Sequence, residues 1–214
     1  MAVTDLGSER PPNFTPLPRN AGVDAAVTAA RRVINALLHA GNNSAAEMND
    51  VADKLNDVAD YLESHVTSVE ERLIDMWSGE GVPRHGPVSG PENAIAPPLH
   101  INGLADGSVA GTVTLGLPYQ GPPSYVHGGV SALLLDHALG VANYWAGPTG
   151  MTATLTLRYR KPTPLFEPLT VTSKQLSVDG RKIRTVGAIS AGGEVCVEAD
   201  GLFITKDVPR PGHS

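Results

Sequence analysis

The chain is short of several things, and each shortage narrows what it can be. It holds one cysteine, Cys196, among 214 residues. That excludes an intrachain disulfide and fits a reducing compartment. No stretch approaches the roughly 20 consecutive apolar residues that a membrane-spanning helix needs. The first residues include Asp5, Glu9 and Arg10 without an apolar run, so no secretory leader and a cytoplasmic location are expected. Positive charge is not in excess. The formal net charge is -6, the wrong sign for general nucleic-acid binding. Aromatic residues make up only 5%, so Ala, Val and Leu must fill most of the core. His39, His65, His85 and His100 are scattered without metal-ligand spacing.

Hydrophobic residues reach 41%, enough for a packed core. The charge is uneven: residues 1–98 carry 7 basic and 14 acidic side chains, residues 99–214 carry 9 and 8. Within 158–184 stand Arg158, Arg160, Lys161, Lys174, Arg181, Lys182 and Arg184 against only Glu167 and Asp179. Such a strip suits an anionic small ligand, or it is a set of solvated strand ends.

Residues 1–22, with four prolines, read as an extended or disordered arm. Residues 23–77 read as amphipathic helices. Val27, Ala30, Val33, Ile34, Leu37 and Leu38 recur at helical spacing, and Gly41 ends the first run. Ser44 with Glu47, and Thr67 with Glu70, have capping-box spacing. Met48, Val51, Leu55, Val58 and Leu62 form one stripe, followed by Leu73, Ile74 and Trp77. Those faces must be buried on each other, on the C-terminal domain or on a second subunit. The Gly/Pro-rich segment 78–98 reads as a linker or crossover.

From residue 99 to 206 the period becomes strand-like, and 207–214 is a tail. A hairpin turns at Asp106-Gly107, where both central positions are expected at positive φ. A predominantly apolar helix spans 128–145, and four strands follow near 152–161, 169–178, 182–190 and 195–205, read as a meander. A helix without a polar face must be wrapped on most sides. A curled antiparallel sheet would do that, giving an α+β fold.

The chemistry concentrates where Gly121-Pro122-Pro123-Ser124-Tyr125-Val126-His127-Gly128-Gly129 runs into that helix. A Gly pair at a helix start presents unbonded N–H groups and positive dipole charge, suited to an oxygen that becomes negative. Asp136 lies within Leu133, Leu134, Leu135, Ala138 and Leu139. Burial there would raise its pKa and make it a competent general base. The pattern equally allows an Asp on an exposed stripe or paired with a structural Arg. His137 is the next residue, but helix neighbours point about 100° apart and form no dyad. Ser131 lacks the G-x-S-x-G setting of a serine hydrolase. Cys196 reads as a buried structural thiol.

His127-Gly128-Gly129, Asp136, Gly140, Met151–Leu155 and Tyr159-Arg160-Lys161-Pro162-Thr163-Pro164-Leu165 together resemble the phenylacetate-pathway (PaaI-like) branch of hotdog-fold thioesterases. The resemblance covers roughly residues 97–206. It implies a hotdog fold, an antiparallel sheet around a long central helix, and hydrolysis of acyl-CoA thioesters without metal or organic cofactor. It matches Asp136 to the general base or nucleophile and Gly128 to the glycine whose N–H polarises the carbonyl. His127 matches the motif histidine and Thr152 a hydroxyl that holds the water or the carboxylate. Where some relatives place an Asn before the His, this loop reads Gln120-Gly121-Pro122-Pro123. The family pairs subunits through the strand after the long helix, so a homodimer or homotetramer is expected, with Gly128 of one chain facing Asp136 and Thr152 of the other. Gly129 is expected at the substrate, and Arg158, Arg160, Lys161, Arg181 and Lys182 at the CoA phosphates.

Overall fold

A computed structural model describes residues 21–41, 44–66, 68–71 and 84–205. Residues 1–20 of the expected arm, the cluster Leu73, Ile74 and Trp77, residues 78–83 of the expected linker and the tail lie outside these; residues 21 and 22, expected in the arm, open the first helix instead. Two 19-residue helices come first, α1 (Ala21–His39) and α2 (Ala45–Glu63). Strands β1 (His100–Gly103) and β2 (Ser108–Thr114) precede a short 3-10 turn, Leu117–Tyr119. Helix α3 (Gly128–Ala146) is followed by β3 (Met151–Tyr159), β4 (Pro168–Asp179), β5 (Lys182–Ala191) and β6 (Glu194–Ile204).

All neighbouring strands are antiparallel, in the order β1-β2-β4-β5-β6-β3. This corrects the four-strand meander. Only β4, β5 and β6 form one; β3 joins the far edge beside β6, and residues 160–167 carry the chain back across to β4. Pro162 and Pro164 keep that crossing extended, and Thr163 and Leu165 bury their side chains in it. The Asp106-Gly107 turn also differs from expectation. Only Gly107 has positive φ, because Leu104 N–H bonds to Ser108 O and closes a three-residue loop rather than a two-residue one.

Helix α3 lies on one face of the sheet. Its buried side is Ser131, Leu134, Leu135, Ala138, Leu139, Val141, Ala142 and Asn143. They meet Leu169 and Val171 of β4 and Ile183 and Ile189 of β5, inward residues of alternating strands. Each leucine removed fully from water contributes about 1.5–3 kcal/mol. Leu139 fits where the sheet has no side chains: a Cβ on Gly187 would come within 2.7 Å of one Leu139 methyl, and on Gly201 within 2.5 Å of the other. Asn143 puts a polar group into this core, its Oδ1 accepting from Thr185 Oγ1 and from Gln175 Nε2.

The sheet does not wrap the helix on most sides, as its composition suggested. Leu133 and Tyr144 are exposed, and Asp136 is only half-buried. Strand β3 forms a nine-residue edge with no buried residue. The open side of α3 and the open edge of β3 are thus both unfinished within one chain.

The N-terminal helices bury no residue. α1 lays a half-buried stripe (Val23, Val27, Ala30, Arg31, Ile34) toward the Leu117–Tyr119 turn. α2 is capped as its sequence requires: Ser44 Oγ accepts from Glu47 N–H, and Glu47 accepts from Ser44 N–H at 2.8 Å. Its Leu55, Val58 and Leu62 nevertheless remain exposed, while Met48 and Val51 are half-buried. Ser68 and Glu71 exchange capping bonds at 3.1 and 3.2 Å; Thr67 of the expected Thr67 and Glu70 pair lies outside the described residues. No helix among the described residues is long and apolar enough to cross a membrane.

Candidate active site

The loop before α3 is folded back tightly. Gly121 N–H bonds to Tyr125 O and Tyr125 N–H to Pro122 O. A Cβ on Gly121 would sit 2.7 Å from His127 Cα, so only glycine fits. Ser124 takes φ 70°, a conformation that costs a non-glycine residue about 1 kcal/mol or more. The crossing segment holds the loop in place: Val126 N–H donates to Thr163 O at 2.9 Å and Leu165 N–H to Ser124 O at 3.0 Å.

His127 then caps the helix. Its backbone N–H donates to Tyr119 O at 2.9 Å, and its Nδ1 accepts from Gly129 N–H at 3.0 Å. An accepting Nδ1 leaves the ring proton on Nε2, on an exposed ring. Gly129 N–H is consumed by this cap. Gly128 N–H has no partner among the described residues, while Gly128 O accepts from Tyr159 Oη at 2.9 Å. A Cβ on Gly128 would meet that phenol at 3.3 Å.

Asp136 lies two turns further along, on the open flank of α3. Thr152 Oγ1 donates to its Oδ1 at 2.8 Å. Thr152 stands at a bulge, where the β3–β6 register shifts between Thr152 and Thr154; bulges re-aim side chains in this way. Among the described residues no arginine bonds to Asp136, which leaves no structural Arg partner. The structure therefore joins Asp136 to Thr152, and His127 to Gly128 and Gly129. It does not join the two groups within one chain. Eight residues of helix separate Gly128 from Asp136, about 12 Å along the axis at 1.5 Å per residue.

A crystal structure described as that of protein RHA08564, a thioesterase superfamily protein, shares 59% identity with this chain. It covers 92% of this chain and 98% of that one, with a TM-score of 0.84. The chain belongs to the thioesterase superfamily. The pattern of the family described as Thioesterase superfamily matches residues 124–198, the stretch that holds His127, Gly128, Asp136 and Thr152. A second pattern, described as the N-terminal helical domain of hypothetical protein RHA1_ro05818, matches residues 14–71. Similarity also extends to the acyl-coenzyme A thioesterase THEM4 of Mus musculus, 37% identical over 98 residues, and that of Rattus norvegicus, 36% over 98. Both matches cover 45% of this chain and 42% of the relative, so the chain spans less than half the length of these curated relatives.

The basic strip of this superfamily member lies apart from Asp136. Tyr159 points to the α3 side of the sheet, so Arg158 and Arg160 point to the other. Arg160 forms a two-point bond with Glu198, at 2.7 and 2.9 Å, and Lys161 pairs with Glu194 at 2.6 Å. Lys161 holds the Glu194 carboxyl below its ordinary pKa. Arg181 Nε reaches Thr205 O at 3.3 Å, Arg158 lies near Asp200, and Lys182 stands at the β4–β5 turn. The sequence excess of positive charge is thus largely consumed by carboxylates on β6. Those partners lie outside the 158–184 window from which the excess was read.

Three contributors were not singled out from the sequence as site residues. Tyr159 braces Gly128, Tyr119 holds His127, and His137 Nε2 shares a hydrogen bond with Ser89 Oγ at 2.9 Å. Burial pushes the His137 pKa down to about 4, against the opposing charge of Asp136. A histidine inside an apolar helix was the available signal for the last; its partner, 48 residues earlier, was not.

Proposed function

We propose that the chain hydrolyses acyl-CoA thioesters to the free acid and CoA in a site built from two copies. The observation that carries this reading is the Thr152–Asp136 bond at 2.8 Å on the open flank of α3. An ionised carboxylate oriented by a hydroxyl is suited to take a proton from water. The hydroxide equivalent adds to the thioester carbonyl, the carbonyl oxygen gathers charge at Gly128 N–H, and collapse expels CoA thiolate, which takes up a proton. His127 Nε2–H and Gly129 stand beside that oxygen.

A donor and a base serving one carbonyl must each lie within about 3 Å of the reacting atoms. The ~12 Å between Gly128 and Asp136 along α3 exceeds what one thioester can bridge. Antiparallel pairing of two β3 edges would run two α3 helices side by side in opposite senses. That supplies the missing half: Gly128 of one copy against Asp136 and Thr152 of the other. Arg158, Arg181 and Lys182 are the expected basic residues left for the CoA phosphates, since Arg160 and Lys161 are already paired with carboxylates.

Asp136→Asn keeps the shape and removes the base. Its kcat on a panel of short, long and aromatic acyl-CoA esters should fall by about 10²–10⁴ with the dimer intact by sedimentation. Wild-type turnover in Asp136→Asn would sink the assignment of the base. Tight acyl-CoA binding without turnover by the wild type would make the chain a binding module instead.

A further inference from the structure

Residues 84–99 do more than connect. They form a compact strap with its own hydrogen bonds, Glu92 N–H to Arg84 O at 2.9 Å, Asn93 N–H to Gly90 O at 3.1 Å and Ala96 N–H to Asn93 O at 3.2 Å. Asn93 Nδ2 reaches back to His85 O and Gly86 O, both at 3.4 Å. The fold is close enough that a Cβ on Gly90 would sit 2.5 Å from Gly86 N. Val88, Ser89, Ala96 and Leu99 are buried. A segment so bonded and so buried moves as a unit rather than as a floppy tether.

Three polar contacts among the described residues tie the strap to functional elements. Ser89 Oγ bonds to His137 Nε2 at 2.9 Å, one residue past Asp136. Ile95 O accepts from Tyr119 Oη at 3.2 Å, and Tyr119 O holds His127 N–H at the head of α3. Arg31 Nη2 of α1 donates to Asn93 O at 3.1 Å and to Ala96 O at 3.5 Å. One rigid piece thus grips α3 near Asp136 and at its head near Gly128, and is itself gripped by the N-terminal helix.

We infer that the strap is a positioning clamp: Ser89 with His137, and Tyr119, hold α3, and with it Asp136 and Gly128, in place on the sheet, and Arg31 anchors the clamp to α1. This rests on the reading of Asp136 and Gly128 given above. None of these residues touches the thioester. They set the rotation of α3 about its axis and the position of its first turn. Misplacement of a reacting group by about 1 Å can cost up to 10²-fold in rate, so small losses of grip are readable in kcat. His137 does this without becoming a cation. Burial holds it neutral at neutral pH, and no imidazolium stands beside the carboxylate.

The test uses the full chain and kinetics on octanoyl-CoA. Ser89→Ala and His137→Leu, which remove the bond, should lower kcat roughly tenfold with KM moved less than about twofold, the signature of lost positioning rather than lost binding. His137→Gln places an amide where Nε2 was and should recover most of kcat. Tyr119→Phe, nearly isosteric, should lose kcat to a similar extent. Arg31→Met should lose less, because it acts through the strap. Backbone hydrogen exchange over residues 128–137 should rise in Ser89→Ala and Tyr119→Phe. Unchanged kcat in His137→Leu, or equal losses in the Gln and Leu variants, would overturn the clamp. If the wild type cleaves no acyl-CoA, the hydrolytic reading falls, and hydrogen exchange still judges the clamp: unchanged exchange in both variants overturns it.

Discussion

Three helices of 19 residues stand among the described residues, and two of them have opposite fates. α3 is apolar nearly all round and buries eight residues on the sheet. α2 is amphipathic, well capped and carries a continuous apolar stripe, yet buries nothing among the described residues. A regular amphipathic pattern states that a face needs cover. It does not state whether the cover lies in the same chain. Weak periodicity belongs to the helix packed on the sheet, and strong periodicity to the one left off it.

That contrast can be broken most directly by truncating one leucine on each helix. Leu139→Ala should destabilise by about 2–5 kcal/mol, the cost of a core cavity, read from urea unfolding. Leu55→Ala should stay within about 0.5 kcal/mol. A cost at Leu55 approaching that at Leu139 would mean that α2 is covered in solution.

The next effect follows pH. His137 binds its proton less readily when folded, with a pKa of about 4 against an ordinary 6.5. Between these values the unfolded chain binds more protons, so folding stability rises with pH across that window and falls as pH drops from 6.5 to 4. The loss is on the order of 3 kcal/mol at most. His137→Gln should flatten this part of the profile relative to the wild type, measured as the urea midpoint at stepped pH. An identical slope in both proteins would show that His137 is not the group responsible.

The smallest effect is at the cap of α2. Ser44→Ala removes the hydroxyl that accepts from Glu47 N–H and should fray the first turn. Because no packing among the described residues couples α2 to the sheet, the main thermal midpoint should not move, although helicity by circular dichroism falls slightly. A shift of the main midpoint would show that α2 and the core unfold together.

Much of the fold was legible because local patterns were unambiguous. Strand alternation, the glycine turns at Gly107, Gly180 and Gly192, and the apolar run of α3 each name an element directly. The resemblance carried by His127-Gly128-Gly129 with Asp136 marked the candidate site, and the Asp136–Thr152 bond joins two of the residues named for it. The crossing of β3 to the far edge was not legible, since a strand's alternation carries no information about its neighbours. The pairing of Arg160 with Glu198 and the grip of Ser89 on His137 were also hidden. Both are contacts between residues 38 and 48 positions apart, and side-chain chemistry alone does not choose among distant partners.

The hole under Leu139 has a consequence for where variation can act. Gly187 and Gly201 form a socket that accepts one leucine and stops α3 from sliding or rolling on the sheet. Asp136 lies about one turn before that leucine, so its address is also set from beneath, by two positions with no side chain at all. A methyl group added at Gly187 would lift the helix and displace the carboxylate from Thr152, on the far side of the element. Drift in reaction rate can therefore begin in the floor of the sheet while every residue in the cleft stays the same.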